Sequence, residues 1–123
     1  MSGYLLDTNS VIYFFNGEQK ISKLIENSKN NVSVSFITKI ELLCFETDDS
    51  NVINKISEFL EEIDVITIDD KIIAKTVDYR KNLKLRVPDA IIAATAKIRD
   101  LALITADKSL IRKLKEIETI TPL

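Results

Sequence analysis

At 123 residues, with 46% apolar and 29% charged side chains, the chain is sized for one folded domain, 1–123, and is neither disordered nor membrane-spanning in composition. One cysteine and no histidine exclude an internal disulfide, the usual zinc sites, a serine triad and a histidine base, so hydrolytic chemistry must rest on carboxylates, lysines or a metal held by oxygen. The formal charge of −2 conceals an asymmetry: residues 1–79 carry 7 basic against 14 acidic side chains, and residues 80–123 carry 10 against 5.

The first element is the apolar run "YLLD" near 4–7, which ends on Asp7. The start "MSGYLLD" has no basic region ahead of its short apolar run, so no export signal is visible and a cytoplasmic location is expected. Helical patterns follow at 10–15 and 19–28, then a strand "VSVS" at 32–35 and a helix at 37–47. Within that helix Cys44, in "IELLCFE", reads as a small buried apolar residue, because no histidine exists to activate it. Next come a helix at 50–62, a strand "VITI" at 65–68, and helices at 71–83 and 89–99. The chain closes with a strand "ALIT" at 102–105, a helix at 108–114 and a weak strand near 118–122. Strands without polar alternation, separated by helices, predict a mainly parallel sheet covered on both faces, a three-layer α/β/α domain. Two glycines in the whole chain leave no glycine-rich phosphate loop, which removes P-loop and dinucleotide-binding functions.

In an open parallel sheet the ligand crevice lies beyond the carboxyl ends of the strands. Asp7 ends the first strand and Asp107 follows the strand at 102–105, and each can equally cap the helix behind it. Asp89 follows Pro88 in "VPDAIIAATA", in the first turn of a helix, where it also complements the helix dipole. Glu41 stands among Ile37, Ile40, Leu42 and Leu43, and a carboxylate flanked by aliphatics on a core helix is expected to be desolvated unless a cation receives it. Asp69 and Asp70 read as a helix start, and Asp48 and Asp49 as a turn. If Asp7, Glu41, Asp89 and Asp107 converge, each close pair repels by roughly 4 kcal/mol at about 4 Å and an effective dielectric near 20. Such a group calls for a divalent cation, and oxygen donors point to Mg²⁺ or Mn²⁺.

The segments "LLDTNSVI", "ITKIELL", "RVPDAIIAATA" and "LALITADKSL" together resemble, in order and spacing over nearly the whole chain, the motifs of PIN-domain ribonucleases, especially the compact VapC-like toxins of toxin–antitoxin pairs. The resemblance implies about five strands in order 3-2-1-4-5, with Asp7, Glu41, Asp89 and Asp107 as catalytic, metal-binding acids and Asn9 and Thr105 as supporting polar groups. It implies hydrolysis of RNA phosphodiesters to 5′-phosphate and 3′-hydroxyl ends, a cognate antitoxin and a homodimer. The chain departs from many relatives after Asp107, where Ser109 and Leu110 replace an acid and an aromatic.

The basic C-terminal third, with Arg86, Lys108 and Arg112 nearest these motifs, is either a substrate-guiding surface or a set of solvated helix faces. The apolar stretch "VIYFF" is either core or a surface for a partner helix. Two other functions are compatible with the pattern: a PIN-like RNA-binding or regulatory module without turnover, and an aspartate-nucleophile phosphatase. The phosphatase usually needs a second aspartate two residues after the first, and this chain has Asn9 there.

Overall fold

The computed structural model describes residues 3–28 and 31–123. Five strands form one sheet: β1 (Tyr4–Leu6), β2 (Val32–Ser35), β3 (Asp64–Ile66), β4 (Ala102–Ile104) and β5 (Thr119–Ile120). All pairings are parallel and the order is β3-β2-β1-β4-β5. Between the strands run α1 (Thr8–Phe15), α2 (Gln19–Asn27), α3 (Phe36–Leu43), α4 (Ser50–Glu62), α5 (Asp70–Leu83), α6 (Val87–Arg99) and α7 (Lys108–Lys113).

Alternation along each strand divides the core in two, because successive side chains leave opposite faces of a sheet. Leu5 and Leu103 pack with Ile72 and Tyr79 of α5, the Ala90–Ala96 stretch of α6, and Leu110 and Leu114 beside α7. Leu6, Val34 and Ile104 pack on the other face with Val11, Ile21, Leu42 and Ile56 from α1 to α4. The expected three layers and strand order are therefore those observed. No helix among the described residues is long and apolar enough to cross a membrane.

The helix boundaries follow from capping. Asp7, Ser35, Asp49, Asp69 and Asp107 each accept a backbone N–H from the first turn of α1, α3, α4, α5 and α7 in that order. Satisfying those orphan donors starts α1 at Thr8, two residues before the periodicity predicts. The helix expected over 37–47 stops at Leu43. Beyond it the Thr47 hydroxyl accepts the Asp49 N–H at 3.1 Å, a local turn that competes with helix and sets up the α4 cap.

Two expectations about burial fail on α3. The helix buries Thr38 and Leu42, one turn apart, and this narrow stripe leaves Ile40 at 48% and Leu43 at 60% exposure. Glu41 and Cys44 are exposed as well, so Cys44 is not a core residue and Glu41 does not lie in a desolvated setting. The "VIYFF" segment belongs to the core margin: Val11 is buried, and Phe14 and Phe15 pack on Phe59 of α4 with ring centroids 5.9 and 5.4 Å away.

Behind the sheet, at the end opposite Asp7, the Tyr79 hydroxyl donates to Glu116, and Lys75 and Lys97 reach the same carboxylate at 3.7 and 3.9 Å. These contacts tie α5 and α6 to the turn before β5.

Gly3 is fixed by a close approach. The Asn31 carbonyl accepts the Tyr4 N–H at 2.7 Å, and a Cβ on residue 3 would lie 2.2 Å from that oxygen. Backbone on both sides cannot step aside as a flexible side chain would, so Gly3→Ala should destabilise the fold by about 1–3 kcal/mol. A urea melt with the parent's midpoint would contradict this packing.

Candidate active site

β1 is flanked by β2 on one side and β4 on the other, so the crevice where the strand order reverses opens at the carboxyl ends of β1 and β4. The chain places Asp7 directly after β1 and Asp107 three residues past the end of β4.

Asp7 follows β1, and its Oδ1 accepts the Ser10 N–H at 2.8 Å. The cap fixes the carboxylate while engaging only one of its oxygens, so capping and a ligand role are compatible. Burial pushes the Asp7 carboxyl above its ordinary pKa; bonds from Ser10 and Thr105 oppose this, and the neighbouring Asp89 charge adds to it. A desolvated carboxylate with a second carboxylate acting on it, at the edge of a crevice, marks a candidate functional site.

Thr105, fully buried after β4, links two of the acids. Its hydroxyl is the hydrogen-bonding neighbour that holds the Asp7 pKa down, and its oxygen accepts the Asp107 N–H at 3.1 Å. Asp107 in turn caps α7, its Oδ1 accepting from Leu110 N at 3.1 Å.

Asp89 occupies the first turn of α6, behind Pro88, and its Oδ2 lies 3.4 Å from Arg86 Nη2 in an ion pair whose arginine is 82% exposed. An exposed pair of this kind holds its partners loosely. Asp89 and Asp107 both line a cleft of about 280 Å³, together with Lys84, Arg86 and Lys113.

Glu41 joins the site through Thr8. The Thr8 hydroxyl oxygen lies 2.6 Å from Glu41 Oε1 and 3.1 Å from the buried Thr38 hydroxyl. A hydroxyl has one proton, so Thr8 gives it to the carboxylate and receives that of Thr38. Asn9 is exposed on the first turn of α1.

Asp7 and Asp107 meet at Thr105, Asp107 shares a cleft with Asp89, and Glu41 bonds to Thr8, the neighbour of Asp7, without the four acids closing on a point. Among the described residues, no three Asp, Glu, Cys or His side chains are near enough together to hold a metal ion as they stand. The donor chemistry nevertheless fits a hard dication. Mg²⁺ keeps several waters and is bound through one or two carboxylates plus substrate phosphate, a donor set with which Asp7 and Asp89 are compatible.

Sequence reasoning missed Thr8 and Ser10, and it counted Lys84 and Lys113 in the basic C-terminal third without singling them out. Thr8 and Ser10 stand inside the quoted motif "LLDTNSVI" and were legible as hydroxyls flanking the aspartate. Nothing local set Lys84 and Lys113 apart from the other basic residues of that third, because the cleft that unites them forms between the α5–α6 loop and α7. Of the three basic residues singled out, Arg86 lines the cleft, whereas Lys108 and Arg112, one turn apart on α7, are exposed and outside its lining.

The PIN domain family model matches residues 4–116. A solved toxin–antitoxin complex from Klebsiella pneumoniae contains a chain 29% identical to this one, with TM-score 0.80 and 98% of each chain covered. A DNA-bound VapBC from Salmonella typhimurium is 20% identical with TM-score 0.88 and complete coverage of both chains. VapBC-1 from nontypeable Haemophilus influenzae is 23% identical with TM-score 0.81 and 97% of each chain covered. No curated protein matches this chain.

Proposed function

The chain belongs to the PIN domain family, and from that premise we propose that it is a metal-dependent endoribonuclease, the toxin of a toxin–antitoxin pair. The observation that carries the reading is the desolvated Asp7 carboxylate at the switch point of the sheet, raised further by the charge of Asp89. Asp7 and Asp89 would hold Mg²⁺ or Mn²⁺, with Asp107 and Glu41 completing the acidic rim through waters. When bound, the metal supplies Lewis acidity and activates water for attack on a phosphodiester.

The rest of the work falls to the chain. The α1 cap and the Thr105 hydroxyl hold Asp7 in one orientation, and Thr8 holds Glu41 against free rotation. Asn9, exposed on the first turn of α1 two residues after Asp7, would stand as a polar group beside the substrate.

The reading extends to partners. The complexes from Klebsiella and Haemophilus pair such a chain with an antitoxin or VapB, which favours a cognate antitoxin here. Exposed apolar residues Ile40, Leu43 and Phe45 at the end of α3 support a homodimer, since contiguous apolar surface is usually covered. An RNA-binding module without turnover is the alternative, and it gains nothing from clustered carboxylates beside a polyanion.

The test is an end-labelled RNA incubated with purified protein in Mg²⁺, in Mn²⁺ and in EDTA. Cleavage should require the dication and fall to background in EDTA; cleavage that persists in EDTA, or none in any condition, overturns the proposal.

A further inference from the structure

The cleft lined by Asp89 and Asp107 also carries Lys84, Arg86 and Lys113, so two signs of charge face one space of about 280 Å³. The bland account is that the cations neutralise the acids. Only Arg86 does so by contact, at 3.4 Å from Asp89. Among the described residues neither Lys84 nor Lys113 has an acidic partner, and both are exposed at the rim.

Their positions are built from two sides. Lys84 terminates α5 in the left-handed conformation, at φ 58°, which turns the chain sharply toward α6. The Arg80 guanidinium donates to the Leu85 carbonyl at 2.6 Å and pins that loop, while the buried Leu85 anchors it below. Across the cleft, α7 is fixed by its Asp107 cap and by buried Leu110 and Leu114, which sets Lys113 on the cleft side.

We infer that Lys84 and Lys113 form a phosphate subsite beside the acidic rim, taking the RNA backbone phosphate next to the one cleaved. The inference rests on the nuclease reading above. Acids lining the cleft repel an incoming polyanion, and two unpaired cations lining the same cleft offer its neighbouring phosphate a favourable place, fixing register without reading sequence. Lysine suits this task as a point charge on a flexible stem. The geometry favours these two residues over Lys108 and Arg112, which lie outside the cleft.

The experiment compares the parent, Lys84→Gln/Lys113→Gln and, as an equal loss of charge, Lys20→Gln/Lys55→Gln. Two readouts are taken on one fluorescein-labelled single-stranded RNA: steady-state cleavage in Mg²⁺, and equilibrium anisotropy across a KCl series in EDTA. The cleft pair should raise KM about tenfold with kcat within about twofold, and should shallow the log–log salt slope by about 1.4, roughly 0.7 for each cation on a single strand. The control pair should match the parent in both. If the cleft pair keeps the parent's KM and slope, the subsite is wrong and an acidic peptide becomes the candidate for this space. Parent protein that cleaves no RNA sinks the nuclease reading, and the anisotropy series then decides the subsite by itself.

Discussion

Asp7→Asn is expected to lower RNA cleavage about a thousandfold or more while making the metal-free protein more stable. The two effects share one cause. The side chain is desolvated and carries a charge that the neighbouring Asp89 opposes, so its ionised form is costly in the absence of a cation. Asparagine keeps the bond to Ser10 N–H, because its carbonyl caps a helix as well as a carboxylate does. It removes the charge, and with it a ligand for the dication, whose contribution to phosphodiester hydrolysis is several kcal/mol at about 1.4 kcal/mol per tenfold. The sign for pH agrees: a carboxyl whose pKa is raised on folding costs stability above that raised value, and the cost is relieved as pH falls through it. In EDTA the variant should therefore melt higher than the parent at neutral pH, with the gap closing in acid. Added Mn²⁺ should reverse the order, since a ligand at a hundred times its Kd stabilises by about 2.7 kcal/mol and only the parent binds it well. Calorimetry with and without EDTA measures this crossing. A variant that is merely misfolded would melt lower in both conditions, and one that cleaves like the parent would remove Asp7 from the chemistry.

The same residue shows why much of this molecule could be read from its sequence. β1 is buried on both faces and therefore apolar throughout, so a carboxylate at its end marks both the end of the strand and the edge of the sheet. Asp107 after β4 obeys the same logic, and these two strands are neighbours in the sheet. Capping and site formation are not rivals at either position, because a cap uses one carboxylate oxygen and leaves the other. Glu41 was harder to read. Its aliphatic neighbours suggested a buried helix, yet α3 buries only Thr38 and Leu42, and the residues that looked like insulation are surface. A helix with apolar residues on every side carries no periodic signal to say which stripe faces in. Lys84 and Lys113 belong to the basic C-terminal third that the sequence shows, but their meeting was illegible for a different reason: they come together only through the packing of a loop against a helix, and a lysine's sequence context rarely records such a meeting.

Thr105→Val should cost about 10- to 100-fold in kcat while leaving the sheet assembled. Valine replaces the hydroxyl by a methyl of nearly the same shape, so the packing of a fully buried position is kept. What disappears is a shared bond: Asp7 loses a donor, and the Asp107 N–H loses its acceptor at 3.1 Å. Loss of groups that orient a metal ligand typically reduces activity or metal affinity by that factor. The Asp107 N–H is only part-buried, so its lost bond costs about 1 kcal/mol in stability, and rates must be measured well below the melting transition. Two readouts separate positioning from general damage. Removing a hydrogen bond that favours the Asp7 carboxylate raises its pKa further, so the acidic limb of the pH–rate profile should move to higher pH. Thr105→Ser, which restores the hydroxyl but not the methyl, should return both kcat and that limb toward the parent. If valine and serine lose activity equally, or valine leaves the profile in place, the hydroxyl is packing and not part of the site, and the orientation of Asp7 must rest on its cap alone.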